Sequence, residues 1–151
     1  GGVEIRHQTG EADAGWVRAA YVAAGYAPES VAAFIDDMAA AYAWADVALC
    51  RAGASTVAEL CAAGLPAVLV PFPHAIHDHQ TRNATVLARC GAAELVPESR
   101  MVVQHMDETL LRLLSMPGER APMAAAALAA ARPDAAARVA DILETIVKTR
   151  A

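Results

Sequence analysis

Between Val3 and Val96, short apolar or β-branched runs alternate with stretches of helical spacing, and the helical stretches stop at Gly25, Gly64 and Gly91. This alternation constrains the chain more than any other feature, because two parallel strands can be joined only through a long crossover, usually a helix. Val3–Gln8 reads as a strand. Asp13–Ala24 reads as a helix with Trp16, Ala20, Ala23 and Ala24 on one face. The apolar run Val31–Ile35 leads to Asp36 and Asp37, which supply the cap and negative first turn of a helix through Met38, Tyr42 and Ala45. Asp46–Cys50, Ala67–Val70 and Ala92–Val96 read as strands, and Ser55–Ala63 and His79–Cys90 as the helices between them. Strands this uniformly apolar are covered on both faces. The expectation is an α/β fold: a doubly wound parallel sheet of about five to six strands with right-handed crossovers and helices on both faces.

Beyond Arg100 the pattern is helical only, over Gln104–Ser115, Pro117–Arg132 and Pro133–Lys148, with Pro117 and Pro133 placed as first-turn prolines. Residues 101–151 are therefore expected to form a helical tail packed on the sheet, and residues 1–151 a single domain. Apolar residues make up 56 % and charged residues 19 % of the 151, a balance that excludes disorder. Every apolar run is interrupted well before the roughly 18 residues of a membrane span, so a soluble domain is expected. The formal charge of −5, without a basic stripe, argues against nucleic acid as a partner. Cys50, Cys61 and Cys90 lack CxxC spacing and fit reduced thiols of a cytoplasmic protein. No secretion signal opens the sequence, and its start without Met suggests a piece of a longer protein.

In an open parallel sheet, ligands bind beyond the carboxyl ends of the strands. Three segments qualify. In Cys50-Arg51-Ala52-Gly53-Ala54-Ser55-Thr56 a strand end passes through small residues into a helix, whose first N–H groups and partial positive charge can hold phosphate oxygens, with Arg51 adding a full charge. The same string is also simply a capped helix start. Glu59, one turn further, can accept from two vicinal ribose hydroxyls or be a solvated surface carboxylate. The second segment, Pro71–Asn83, offers His74, His77, Asp78 and His79 as metal ligands, but no second cluster completes a set, so no metal is expected. With Asp78 or His79 capping the next helix, Gln80 and Asn83 share a face whose neutral amides suit sugar hydroxyls. The third is Phe34-Ile35-Asp36-Asp37-Met38: the Ile35 backbone could pair with the edge of a flat heterocycle between Phe34 and Met38, or the run could be a core strand end. No nucleophile elbow and no GxGxxG follows any strand.

These segments taken together, from Phe34-Ile35-Asp36-Asp37-Met38 through Cys50-Arg51-Ala52-Gly53-Ala54-Ser55-Thr56-Val57-Ala58-Glu59, Gly64-Leu65-Pro66-Ala67 and Val70-Pro71-Phe72-Pro73-His74 to His79-Gln80-Thr81-Arg82-Asn83-Ala84, resemble in order and spacing the carboxyl-terminal half of the MurG family. These bacterial glycosyltransferases join N-acetylglucosamine to lipid I to make lipid II. His7-Gln8-Thr9-Gly10 is similar to the family as well, and the likeness covers residues 3 to about 100 closely and the tail loosely. The resemblance implies the GT-B architecture, two Rossmann-like domains about a cleft, of which this chain would be the domain that binds UDP-N-acetylglucosamine. It implies that the Ile35 backbone reads the uracil edge, that Ala54, Ser55 and Thr56 bind the diphosphate with Arg51 close by, that Glu59 holds the ribose hydroxyls and that Gln80 with Asn83 faces the sugar, with Met38, Gly53, Val57, Ala58 and His79 completing the substrate-binding set. No cofactor is implied. The acceptor-binding half, with its catalytic base, its lipid I site and its contact with the cytoplasmic face of the inner membrane, has no counterpart in these residues, so the chain is expected to bind donor without catalysing an inverting transfer. Two alternatives stay open: a non-catalytic donor-binding subunit that works with a separate acceptor chain, and a GT-B enzyme acting on another UDP-sugar, such as an epimerase.

Overall fold

The computed structural model describes residues 2–75, 78–101 and 103–150. Its elements run β1 (His7–Gln8), α1 (Glu11–Ala23), a 3-10 turn, β2 (Val31–Ala32), α2 (Met38–Trp44), β3 (Ala48–Cys50), α3 (Ala54–Ala63), β4 (Ala67–Leu69), α4 (His79–Arg89) and β5 (Ala93–Leu95). A second 3-10 turn, Glu98–Arg100, leads to α5 (Val103–Ser115), α6 (Pro117–Ala130) and α7 (Ala135–Arg150). The strand and helix alternation and the all-parallel pairing are as the sequence predicts. The strands, however, form two sheets, β1-β2 and β3-β4-β5, where a single sheet is expected. The chain divides into two compact units, Gly1–Trp44 and Ala45–Ala151.

In the first unit β1 and β2 run in register His7↔Val31 and Gln8↔Ala32, and the pairing extends through Thr9 N–H to Ala32 O and Gly10 N–H to Ala33 O. Val3–Arg6 carry strand-like sequence but lie outside β1, whose partner strand is only two residues long. The α1 face is turned differently from expectation: Ala14 and Val17 are buried, whereas Trp16 is 66 % exposed with its indole N–H donating to Asp13 Oδ1. Asp37 accepts from Ala40 N–H at 2.8 Å and caps α2 as its sequence position predicts.

In the second unit Cys50 pairs with Leu69, and Leu69 with Leu95, so the three strands finish level with one another. Leu60, Val68, Leu69, Leu87 and Leu113 are fully buried, each such side chain contributing about 1.5–3 kcal/mol of transfer free energy. Val68, Val70 and Val96 pack with Met106 and Leu113, so α5 of the tail closes the core, while α6 packs on α3 and buries Ala127. α7 does not follow the expectation of packing: residues 135–149 are exposed throughout, including Val139, Ile142, Leu143, Ile146 and Val147. Pro117 opens α6 as expected, but Pro133 precedes α7 by two residues and is outside it.

Helices α1, α3 and α4 end in one way. The N–H of Gly25, Gly64 and Gly91 returns to Val22, Cys61 and Ala88, and the next residue's N–H returns to Tyr21, Leu60 and Leu87. That pair of bonds satisfies carbonyls the helix leaves without partners.

Candidate functional site

Because β3 and β4 finish level, the turns that leave them open on the same edge of the sheet. From Cys50 the chain passes through Ala52, which is fully buried, to Gly53, extended at φ −63° and ψ 150° at the N-cap of α3. Gly53 O accepts from Val57 N–H at 2.9 Å and closes the first helical turn. Gly53 has no side chain to offer, and no side chain caps this helix. The first amides of α3 therefore face outward at Ala54 and Ser55, both exposed, with Thr56 and Val57 half-buried behind them. An end of this kind carries about half a positive charge and is suited to a phosphate. Ala58 and Glu59 are exposed further along, Glu59 lying one turn from Ser55 on the same side of α3.

The opposite wall is α4. Asp78 stands at its N-cap, as one of the two expected positions, at φ 54° and without a side-chain capping bond, and His79, the first helical residue, is exposed. Gln80 and Asn83 do share a face turned to the strand ends. Gln80 Oε1 accepts from Phe72 N–H at 2.9 Å, and Asn83 Nδ2 donates to Ala52 O at 3.0 Å. Asn83 thus ties α4 to the turn that delivers Gly53, and Gln80 ties it to the loop after β4. His77, considered for metal binding with His74 and His79, lies outside the described residues.

Arg51 is the clamp of this edge. Its Nη1 donates to Glu98 Oε2 at 2.9 Å and to Val70 O and Pro71 O at 3.3 Å, and its guanidinium lies 5.5 Å from the centre of the Phe72 ring. The cation expected beside the phosphate is engaged by two carbonyls just past β4 and by a carboxylate of the 3-10 turn that follows β5, which leaves the helix amides as the leading anion donors. Glu98 is a residue that sequence reasoning missed. Its one signal is position, two residues past Val96 at the end of the last strand.

Ile35 and Met38 belong to the first unit. Met38 is the half-buried first residue of α2, Phe34 is 67 % exposed, and Ile35 N–H donates to Gln8 Oε1 at 2.8 Å. Gln8 is the second residue missed, although it too sits at the carboxyl end of a strand.

Cys50, next to Arg51, is not a nucleophile: burial pushes its thiol up to about 11. At pH 8 almost none of it is thiolate. Alkylation with iodoacetamide at pH 8, followed by peptide mass analysis, is expected to label exposed Cys90 well before Cys50. Equal rates at the two positions would show that the β3 end opens readily.

Comparison with known proteins matches residues 2–139 to the glycosyltransferase family 28 C-terminal domain. The UDP-N-acetylglucosamine–N-acetylmuramyl-(pentapeptide) pyrophosphoryl-undecaprenol N-acetylglucosamine transferase of Nitratidesulfovibrio vulgaris strain DP4 is 52 % identical over 148 residues, 98 % of this chain and 40 % of that protein. The enzyme of the same description from Xylella fastidiosa strain M12 is 52 % identical over 141 residues, 93 % of this chain and 38 % of its own length. The crystal structure of Acinetobacter baumannii MurG superposes with a TM-score of 0.82 at 39 % identity, over 93 % of this chain and 42 % of that one. The chain spans about two-fifths of the length of these relatives.

Proposed function

Since the chain belongs to the glycosyltransferase family 28 C-terminal domain, we propose that it holds the UDP-N-acetylglucosamine donor of a transferase that moves N-acetylglucosamine onto lipid I to give lipid II. The observation that carries this reading is the uncapped start of α3 at the level edge of β3 and β4, with Asn83 fastened to the turn just before it. The diphosphate goes to the amides of Ala54, Ser55 and Thr56, with Gly53 giving close approach and Val57 and Ala58 continuing the first turns. Glu59 holds the ribose hydroxyls. Gln80, Asn83 and His79 line the sugar side, and in the first unit the Ile35 backbone reads the uracil beside Met38.

In the complete enzyme the acceptor hydroxyl of lipid I attacks the anomeric carbon and the C–O bond to UDP breaks with inversion. Charge then accumulates on the departing diphosphate, where the α3 amides are already aimed and need no reorganisation to stabilise it. Arg51, held by Glu98, keeps the strand ends in place around that charge. Lipid I binding, the catalytic base and attachment to the cytoplasmic face of the inner membrane are assigned to the part of such an enzyme that lies outside this chain. Among the described residues no helix is long and apolar enough to cross a membrane.

Calorimetric titration tests the reading: heat is expected with UDP-N-acetylglucosamine and none with NAD, and the reverse result would overturn the assignment. Glu59→Ala is expected to weaken UDP binding by about 1–3 kcal/mol, the worth of hydrogen bonds to a charged acceptor, with the fold intact. Unchanged affinity would take Glu59 out of the site.

A further inference from the structure

The amide proposed to read the base already has a partner. Ile35 N–H donates to Gln8 Oε1 at 2.8 Å across 27 positions of sequence, and the pair is exposed. Parallel pairing of His7↔Val31 and Gln8↔Ala32, continued by Thr9 to Ala32 and Gly10 to Ala33, holds the two segments side by side and keeps Gln8 within reach of Ile35. A glutamine carboxamide is planar, with an acceptor oxygen next to N–H donors. Uracil presents the same order along one edge, the C4 carbonyl beside the N3–H. A backbone N–H has one proton to give, so the two edges compete for it.

We propose that Gln8 is a placeholder for the nucleotide base: its carboxamide occupies the Ile35 amide between donors and is exchanged for the uracil edge on binding. The inference rests on the reading of Ile35 as the base-recognising residue. Exchange keeps the Ile35 amide satisfied in both states, and it lowers apparent affinity by the fraction of molecules in which Gln8 has swung away. Return of Gln8 to the same amide favours release of UDP after transfer.

The test compares UDP and inorganic pyrophosphate binding by calorimetry in the unaltered chain, in Gln8→Leu, which removes the competitor, and in Gln8→Glu, which strengthens it with a charged acceptor. Gln8→Leu is expected to bind UDP roughly threefold to tenfold more tightly, the range one exchanged hydrogen bond spans, and Gln8→Glu correspondingly more weakly. Pyrophosphate carries no base and is expected to bind Gln8→Leu and the unaltered chain alike. UDP affinity that is unchanged or reduced in Gln8→Leu overturns the placeholder role while leaving the donor site standing. A gain equal for UDP and pyrophosphate overturns it too, since the effect would not be at the base. If the unaltered chain binds no UDP at millimolar concentration, the donor reading falls and the placeholder with it.

Discussion

Ser55→Asp is expected to weaken UDP binding on the order of a hundredfold while leaving the melting temperature unchanged or slightly raised. The two effects share one cause with opposite signs. A carboxylate in the first turn of a helix meets the positive end of the dipole and stabilises it by about 0.3–1 kcal/mol. Ser55 is exposed beside a Gly53 N-cap that offers no side chain of its own, so the new carboxylate has both room and unused donors. The same carboxylate lies where the diphosphate is proposed to sit. Two like charges about 4 Å apart near a protein surface repel by about 4 kcal/mol before salt screening, and losing part of that still lowers affinity on the order of a hundredfold. Calorimetry and a thermal melt read both outcomes on one sample. Retained affinity would move the diphosphate away from α3, whereas a lowered melting temperature would mean that Ser55 has a structural duty its exposure does not reveal.

The largest loss of stability is expected from Gly64→Val. Gly64 ends α3 at φ +64°, a conformation costing about 1–2 kcal/mol for residues with a Cβ. A Cβ there would stand 2.8 Å from Leu128 Cγ and 3.0 and 3.1 Å from its methyl carbons. Crowding of this kind costs about 1–3 kcal/mol. Leu128 is 56 % exposed and can yield in part, so the combined loss in urea unfolding is expected near 3 kcal/mol. Adding Leu128→Ala should recover the crowding share and leave the backbone share. Full recovery would show that the backbone conformation at Gly64 costs valine little, and no recovery would place the strain elsewhere at the α3–α6 contact.

What could be read in advance divides along physical lines. The ends of α1, α3 and α4 at Gly25, Gly64 and Gly91 were legible because a helix stop is a local event, settled by a few neighbouring residues. The Asp37 cap was legible for the same reason. Strand limits were not: Val3–Arg6, Asp46 and Val47 look like strand but stay outside it, since a strand exists only where another chain segment lies alongside. Trp16 shows the matching limit for helices, because spacing reveals a stripe without saying which stripe faces inward. At the site, the spacing of Gln80 and Asn83 correctly put both on one face, but their partners Phe72 N–H and Ala52 O come from other elements. Glu98 meets Arg51 over 47 positions and Gln8 meets Ile35 over 27, distances at which a single sequence carries no pairing signal.

The exposed tail has a thermodynamic consequence. α7 has 16 residues and, at positions 135–149, buries none of them; its side-chain support includes one Glu144–Lys148 ion pair. A helix of that length in water is marginal and unravels gradually from its ends. Ellipticity recorded during heating therefore adds a sloping contribution from this segment to the sigmoid of the packed body, and only near-ultraviolet signals or calorimetry isolate the cooperative step.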